Sequence, residues 1–189
     1  MEILVIVFII FLVACYFWYV SIISRKNKAL EGLSGIDVQL KKRSDLIPNV
    51  LVIAQKYMDH EKELINEVTR LRTQFESDYN PKDSEQVKGH LKSAQKLDSL
   101  MGKLMVNMEA YPELKSDQTL IKAQEAYLDV ESNISAARRF YNAAVTKVNN
   151  SVQIFPGNII GALAGVTALP FYEIDEASMK PVLATDILK

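Results

Sequence analysis

Few side chains in this sequence have the spacing that catalysis or metal binding demands. His60-Glu61 opens like the helical zinc-protease motif, in which two histidines one turn apart hold the metal and the glutamate acts as base. Leu64, however, stands where the second histidine belongs. His90 belongs to a different predicted helix, and neither histidine follows a glutamate by three residues, as a di-iron helix requires. Cys15 is the sole cysteine and lies in an apolar run, so no soluble thiol is available for metal or nucleophilic work. No glycine-rich phosphate loop occurs, and scattered serines with two histidines make no Ser/His/Asp signal. The pattern predicts a non-enzymatic protein with no catalytic residues, no metal and no cofactor.

Two polar groupings stand out from this background. Glu131, Arg138 and Asn142 fall on one helical stripe, at i, i+7 and i+11, beside an apolar seam that carries Tyr127 and Tyr141. Buried there, they would fix register between helices; a ligand or partner pocket is the alternative. Lys41-Lys42-Arg43 is the densest basic cluster, and its composition predicts a solvated helix face. Met101, Met105 and Met108 at helical spacing read as core filler.

These groups must be positioned by helices. Leu120, Ala123, Tyr127, Val130, Ile134, Ala137, Tyr141, Ala144 and Val148 alternate steps of three and four, an a/d seam without a break. Val87, Leu91, Ala94, Leu97, Met101, Leu104, Met108 and Tyr111 give a second face. Leu33, Ile36, Leu40, Ile47, Leu51, Ala54 and Met58, continued by Leu64, Val68, Leu71 and Phe75, give a third. Asn80-Pro81 ends the first segment, Asp83 with Gln86 can cap the next, and Tyr111-Pro112 ends that one. Ser116 or Asp117 can start the last long helix. Pro48 admits two readings: Asp45 caps a fresh helix with the proline in its first turn, or one continuous helix kinks there. In the second case Asn27 to Phe75 would extend about 70 Å at 1.5 Å per residue. Gly89 and Gly102 each weaken the second helix by about 1 kcal/mol relative to alanine.

The chain has 189 residues, with 22 Lys+Arg and 23 Asp+Glu. Residues 3–23 carry no charge, and every Lys and Arg follows them. That length suits a helix crossing the hydrocarbon core, with Tyr16, Trp18 and Tyr19 at the headgroup level of its C-terminal end. Arg25, Lys26 and Lys28 follow at once. This asymmetry puts the C-terminal domain on the cytoplasmic side, the alternative being the periplasm or exterior. Leu12-Val13-Ala14-Cys15 has the shape of a lipobox, but its flanks lack the polar tether lipidation needs, so Cys15 reads as a small membrane-buried hydrophobe. Setting aside Glu2, the remainder has 22 basic against 22 acidic residues. That balance excludes a nucleic-acid binder acting through bulk charge, and one cysteine excludes a disulfide scaffold.

Residues 148–172 carry no charge and include Phe155-Pro156-Gly157, with Gly157, Gly161 and Gly165 spaced by four so as to share a helix face. The helical run Asn158 to Leu169 is too short to span a membrane. It is either a helix capping the bundle or an interfacial or re-entrant segment touching lipid. The expected organisation is therefore an anchor at 1–24, a helical bundle at 25–170 and an irregular tail at 171–189. The fold class is all-α: a transmembrane helix, then an antiparallel bundle of three long helices plus a shorter C-terminal one.

An ordered set of motifs adds to this reading. Residues 39–50 read Gln-Leu-Lys-Lys-Arg-Ser-Asp-Leu-Ile-Pro-Asn-Val, with Arg43, Asp45, Leu46, Pro48 and Asn49 at their centre. Met58-Asp59-His60-Glu61 follows, then Tyr111-Pro112-Glu113-Leu114-Lys115, then Arg138-Arg139-Phe140-Tyr141-Asn142 and Phe155-Pro156. Over nearly its whole length the chain resembles the bacterial LemA family. The resemblance implies bacterial origin and an antiparallel helical bundle behind one transmembrane helix, and it supplies no reaction. The expected function is that of a membrane-anchored scaffold or interaction protein in the bacterial cytoplasmic (inner) membrane. Its expected partners are the lipid bilayer through residues 3–23 and copies of itself or another membrane protein, with no nucleic acid. The alternatives are an accessory subunit of a membrane enzyme, such as a protease or envelope remodelling system, and a lipid-organising protein.

Overall fold

A computed structural model describes residues 1–58, 60–115 and 117–173, Lys115 by its backbone alone. Asp59, Ser116, the Lys115 side chain and the tail over 174–189 lie outside the described residues. The chain is all-helical: α1 (Glu2–Tyr57), α2 (Lys62–Phe75), α3 (Ser84–Met108), α4 (Pro112–Lys115), α5 (Gln118–Gln153) and α6 (Gly157–Leu163). A long apolar N-terminal helix thus leads into a bundle and a short final helix.

The 56 residues of α1 make a rod of about 84 Å at 1.5 Å per residue. From Ile3 to Val13 every large apolar side chain is about half exposed or more. From Ile22 onward the helix buries one face through Ala29, Leu33, Ile36, Leu40, Ile47, Val50 and Ala54. One unbroken helix therefore carries both the candidate membrane span and the first wall of the core.

Pro48 lies inside α1 and does not begin a new helix. Asp45 accordingly caps nothing: it is exposed and pairs with Lys41 at 3.0 Å. A proline lacks the N–H that would bond to the carbonyl four residues earlier. Here that carbonyl, on Ser44, accepts from Arg72 Nε of α2 at 2.9 Å instead. The helix stops at Tyr57, short of the continuous rod to Phe75, because the apolar phase lapses. After buried Met58, the next positions on that face are Glu61 and Lys62, and burial resumes only at Ile65. The chain turns back there, with Tyr111 Oη donating to Glu61 Oε2 at 2.7 Å.

The partners of α1 show the path of the other helices. Arg72 of α2 meets Ser44, so α2 runs antiparallel to α1. Asp83 accepts from the amides of Glu85 and Gln86 at 3.0 and 3.2 Å, and starts α3 on its way back. Asp117 caps α5 in the same way, through Thr119 and Leu120. α5 then runs antiparallel to α1 along its length: Glu131 meets Arg43, the Phe140 ring lies beside Gly32, and the end of α5 reaches Trp18.

Beyond α5 the chain makes an elbow through a cis Phe155–Pro156 bond into α6. α6 ends at Leu163, earlier than the Leu169 suggested by composition, because Gly165 adopts φ +64°. The amide of Val166 then bonds to Gly161 O and that of Gly165 to Ala162 O, the paired closure of a glycine-terminated helix. Residues 166–173 return along α5 as an extended strap.

Candidate functional site

The polar groups converge midway along the bundle, where α1, α3, α5 and the strap meet. Arg43 is the centre. Lys41 and Lys42 are exposed as a solvated cluster would be, but Arg43 is not: its side chain is 2% exposed. It occupies the step between Leu40 and Ile47, and helical phase turns it into the core. Its Nη1 donates to Glu131 Oε1 at 3.0 Å and lies 3.4 Å from Asp98, while Nη2 donates to the Ala94 carbonyl at 2.8 Å. One guanidinium thereby ties three helices. Burial pushes the Glu131 carboxyl above the usual carboxylate range, with the Arg43 charge pulling the other way.

The stripe predicted on α5 is gathered here, facing the strap more than a neighbouring helix. Arg138 lies over the Tyr172 ring, 5.7 Å from its centroid. Tyr141 Oη donates to the Pro170 carbonyl at 2.8 Å. Asn142 donates to Tyr172 O and accepts from Tyr172 N, both at 2.9 Å. Asn149, two turns further on, repeats the pairing with Leu169 at 3.0 and 2.8 Å. Each amide acts as a short piece of strand for a segment that has no sheet to join. Gln95 of α3 donates to Glu173 O from the other side. Between these walls remains a cleft of about 230 Å³, lined by Arg43, Asp98, Ser99, Glu131, Arg138 and Tyr172 among others.

A second polar knot lies nearer the N-terminal half of α1. His90 is stacked between Phe75 and Tyr79, with ring centroids 4.7 and 4.0 Å away. Asp37 accepts from Tyr79 Oη at 2.7 Å and lies 3.2 Å from His90 Nε2. Sequence patterns did not single out this group, although His90 directly precedes core residue Leu91. His60 is exposed at the turn after α1. Among the described residues no cluster of three His, Cys, Asp or Glu side chains could hold a metal.

The remaining motif residues serve the frame. Leu114 of α4 is fully buried, beside a half-buried Tyr111 and an exposed Pro112. Leu46 is half buried and Asn49 exposed on α1. At the other end, Phe155 and Pro156 form the elbow, and Cys15 sits within continuous α1 facing them. The three glycines differ in role. A Cβ on Gly157 would meet Ser151 O at 1.9 Å and Trp18 Nε1 at 3.0 Å, and one on Gly161 would meet Val152 at 3.1 Å. Gly165 lies beyond α6 and supplies its left-handed turn.

Comparison with known proteins places these residues beside a described family. A family model described as the LemA family matches residues 32–184. Two proteins of Paramagnetospirillum magneticum, Magnetosome protein MamQ 1 and MamQ 2, are each 24% identical over 89 residues, 47% of this chain and 33% of theirs. Magnetosome protein MamQ of Magnetospirillum gryphiswaldense is 22% identical over the same shares. The chain thus matches about one third of the length of these curated relatives. The family match and the exposed apolar face of α1 mark a membrane-associated helical protein.

Proposed function

The chain belongs to the LemA family, and from that membership we propose that it is a non-enzymatic scaffold in the bacterial cytoplasmic membrane. It is held by a single pass of α1, with the bundle on the cytoplasmic side. Its outer helical faces meet copies of the chain or other membrane proteins. The observation that carries this reading is the use made of the polar groups. The buried guanidinium, its carboxylate partner and the two paired asparagines are all engaged in holding helices and strap together. A cation whose two terminal nitrogens are both bonded within the bundle, to Glu131 and to the Ala94 carbonyl, is poorly placed to turn over a substrate. The rigid continuity of α1 also suits a protein that holds a surface at a fixed height and angle above a bilayer.

The test is crosslinking of the full-length chain in its native membrane, followed by gentle extraction and mass analysis. A ladder of copies, or a defined complex with another membrane protein, is the expected result. A fixed ratio with a membrane enzyme would turn the reading toward an accessory subunit. A monomer that captures nothing would count against a scaffold.

A further inference from the structure

The uncharged segment after α5 does not close the far end of the bundle; it folds back beside the anchor. Ile154, Phe155, Ile159 and Leu163 are 62%, 74%, 55% and 85% exposed. Phe155, Ile159 and Leu163 border a groove of about 690 Å³ whose other wall is Phe11, Cys15, Trp18 and Tyr19 of α1. Measured along α1 from Ile23, Cys15 lies about 12 Å and Phe11 about 18 Å inside the apolar run. Half a hydrocarbon core is about 15 Å. The elbow therefore lies deeper than the headgroups, level with the inner half of the span.

Most of its backbone suits that depth, the amides of Phe155 and Gly157 being the two without a backbone partner among the described residues. Apolar surroundings offer no water to unpaired amides, so they must be bonded internally. The amides of Ile154, Asn158, Ile159 and Ile160 all find carbonyls within 150–156. Those of Ala164, Gly165 and Val166 find carbonyls within 160–162. Pro156 has no amide to satisfy. From Val148 to Tyr172 no side chain is charged. The groove between the elbow and α1 is lined without any charged or amide side chain, the exposed Gln153 and Asn158 lying outside it.

We propose that residues 154–164 form a second membrane-embedded element, seated among the acyl chains of the leaflet through which α1 enters the bundle. The ligand of the groove is lipid, and the bundle lies against the bilayer with no stalk between. This rests on α1 being a span, and the experiment separates the two claims. The full chain carrying Cys15→Ser receives one cysteine at a time, by Leu163→Cys, Val7→Cys or Val106→Cys. Each is labelled with an environment-sensitive fluorophore and placed in phosphatidylcholine–phosphatidylglycerol vesicles. Leu163 and Val106 are 85% and 66% exposed, so neither label disturbs packing.

The expected result is loss of Leu163 emission to nitroxide-bearing lipids, comparable to the loss at Val7, with none at Val106, which iodide in the water quenches. Quenching of Val7 by lipid but of Leu163 by iodide overturns the embedding and leaves the span intact. Protection of Leu163 from both quenchers also overturns it, assigning the groove to another protein chain. Failure of lipid quenching at Val7 as well would overturn the span itself.

Discussion

Among the described residues Arg43 is the one charged side chain that is fully buried, and it bonds to two other helices. Removing one member of a buried ion pair leaves the other uncompensated, which costs about 3–5 kcal/mol. Arg43→Ala should therefore lower the unfolding free energy by about that amount in urea titrations, since Glu131 and the Ala94 carbonyl lose their donor together. Replacing Arg43 and Glu131 jointly by Met and Leu should recover most of the loss. The pH dependence has a definite sign. Burial raises the folded pKa of Glu131 above its ordinary value of 4.5, so the folded state holds that proton more tightly than the unfolded state. The associated stability is complete below the ordinary value and is lost as pH rises through the folded pKa. Glu131→Gln should flatten that decline in urea midpoints measured from acid to neutral pH. An unchanged slope would remove Glu131 as its source.

Among the elements, the junction of α1 and α2 shows how a helix tolerates an internal proline. Arg72 supplies the hydrogen bond that Pro48 cannot, and Ser44, whose carbonyl receives it, is fully buried. Arg72→Ala should cost about 1–3 kcal/mol, the penalty for an unsatisfied buried acceptor. In a Pro48→Ala background the same change should cost less, because the new alanine brings its own amide to Ser44 O. A double-mutant cycle of unfolding free energies measures the difference, and additive values would reject the exchange. The seams of α3 and α5 were legible in the sequence because apolar periodicity is a local property. Val87, Leu91, Leu97, Leu120, Tyr127, Ile134 and Tyr141 are buried as that periodicity required. The role of Arg43 was not, since charged residues on a basic run are normally solvated and its partner Glu131 lies 88 positions away. The pattern held one clue: the apolar ladder of α1 skips from Leu40 to Ile47, and Arg43 is the rung that fills the gap. Pro48 was ambiguous for the same reason, its compensating donor being on another helix. The strap had no periodicity to read, and only the structure shows Asn142 and Asn149 gripping it.

In the whole molecule, two regions can be perturbed separately because one rod connects them. Trp18 and Arg43 are 25 residues apart on α1, about 37 Å at helical rise. Glycines distinguish the two regions. A methyl group added at Gly89 or Gly102 on α3 would have nothing within 4 Å, so alanine there gains helix propensity without a clash. Each substitution should stabilise the bundle by about 0.8–1.0 kcal/mol and leave the membrane end untouched. Gly157→Ala should do the reverse. Its Cβ would fall 1.9 Å from Ser151 O, a backbone atom that cannot swing aside, so the elbow must move away from Trp18. Trp18 is the only tryptophan in the chain, and its emission in vesicles reports that movement alone. The expected outcome is a shifted Trp18 spectrum in Gly157→Ala with a bundle unfolding midpoint close to that of the parent. If the midpoint fell together with the spectral change, the elbow would belong to the cooperative unit of the bundle. If neither changed, Gly157 would not be the point where anchor, α5 and α6 are held together. Separable responses are what the proposed seating of one end of the rod in lipid, with Arg43 locking it further along, must give.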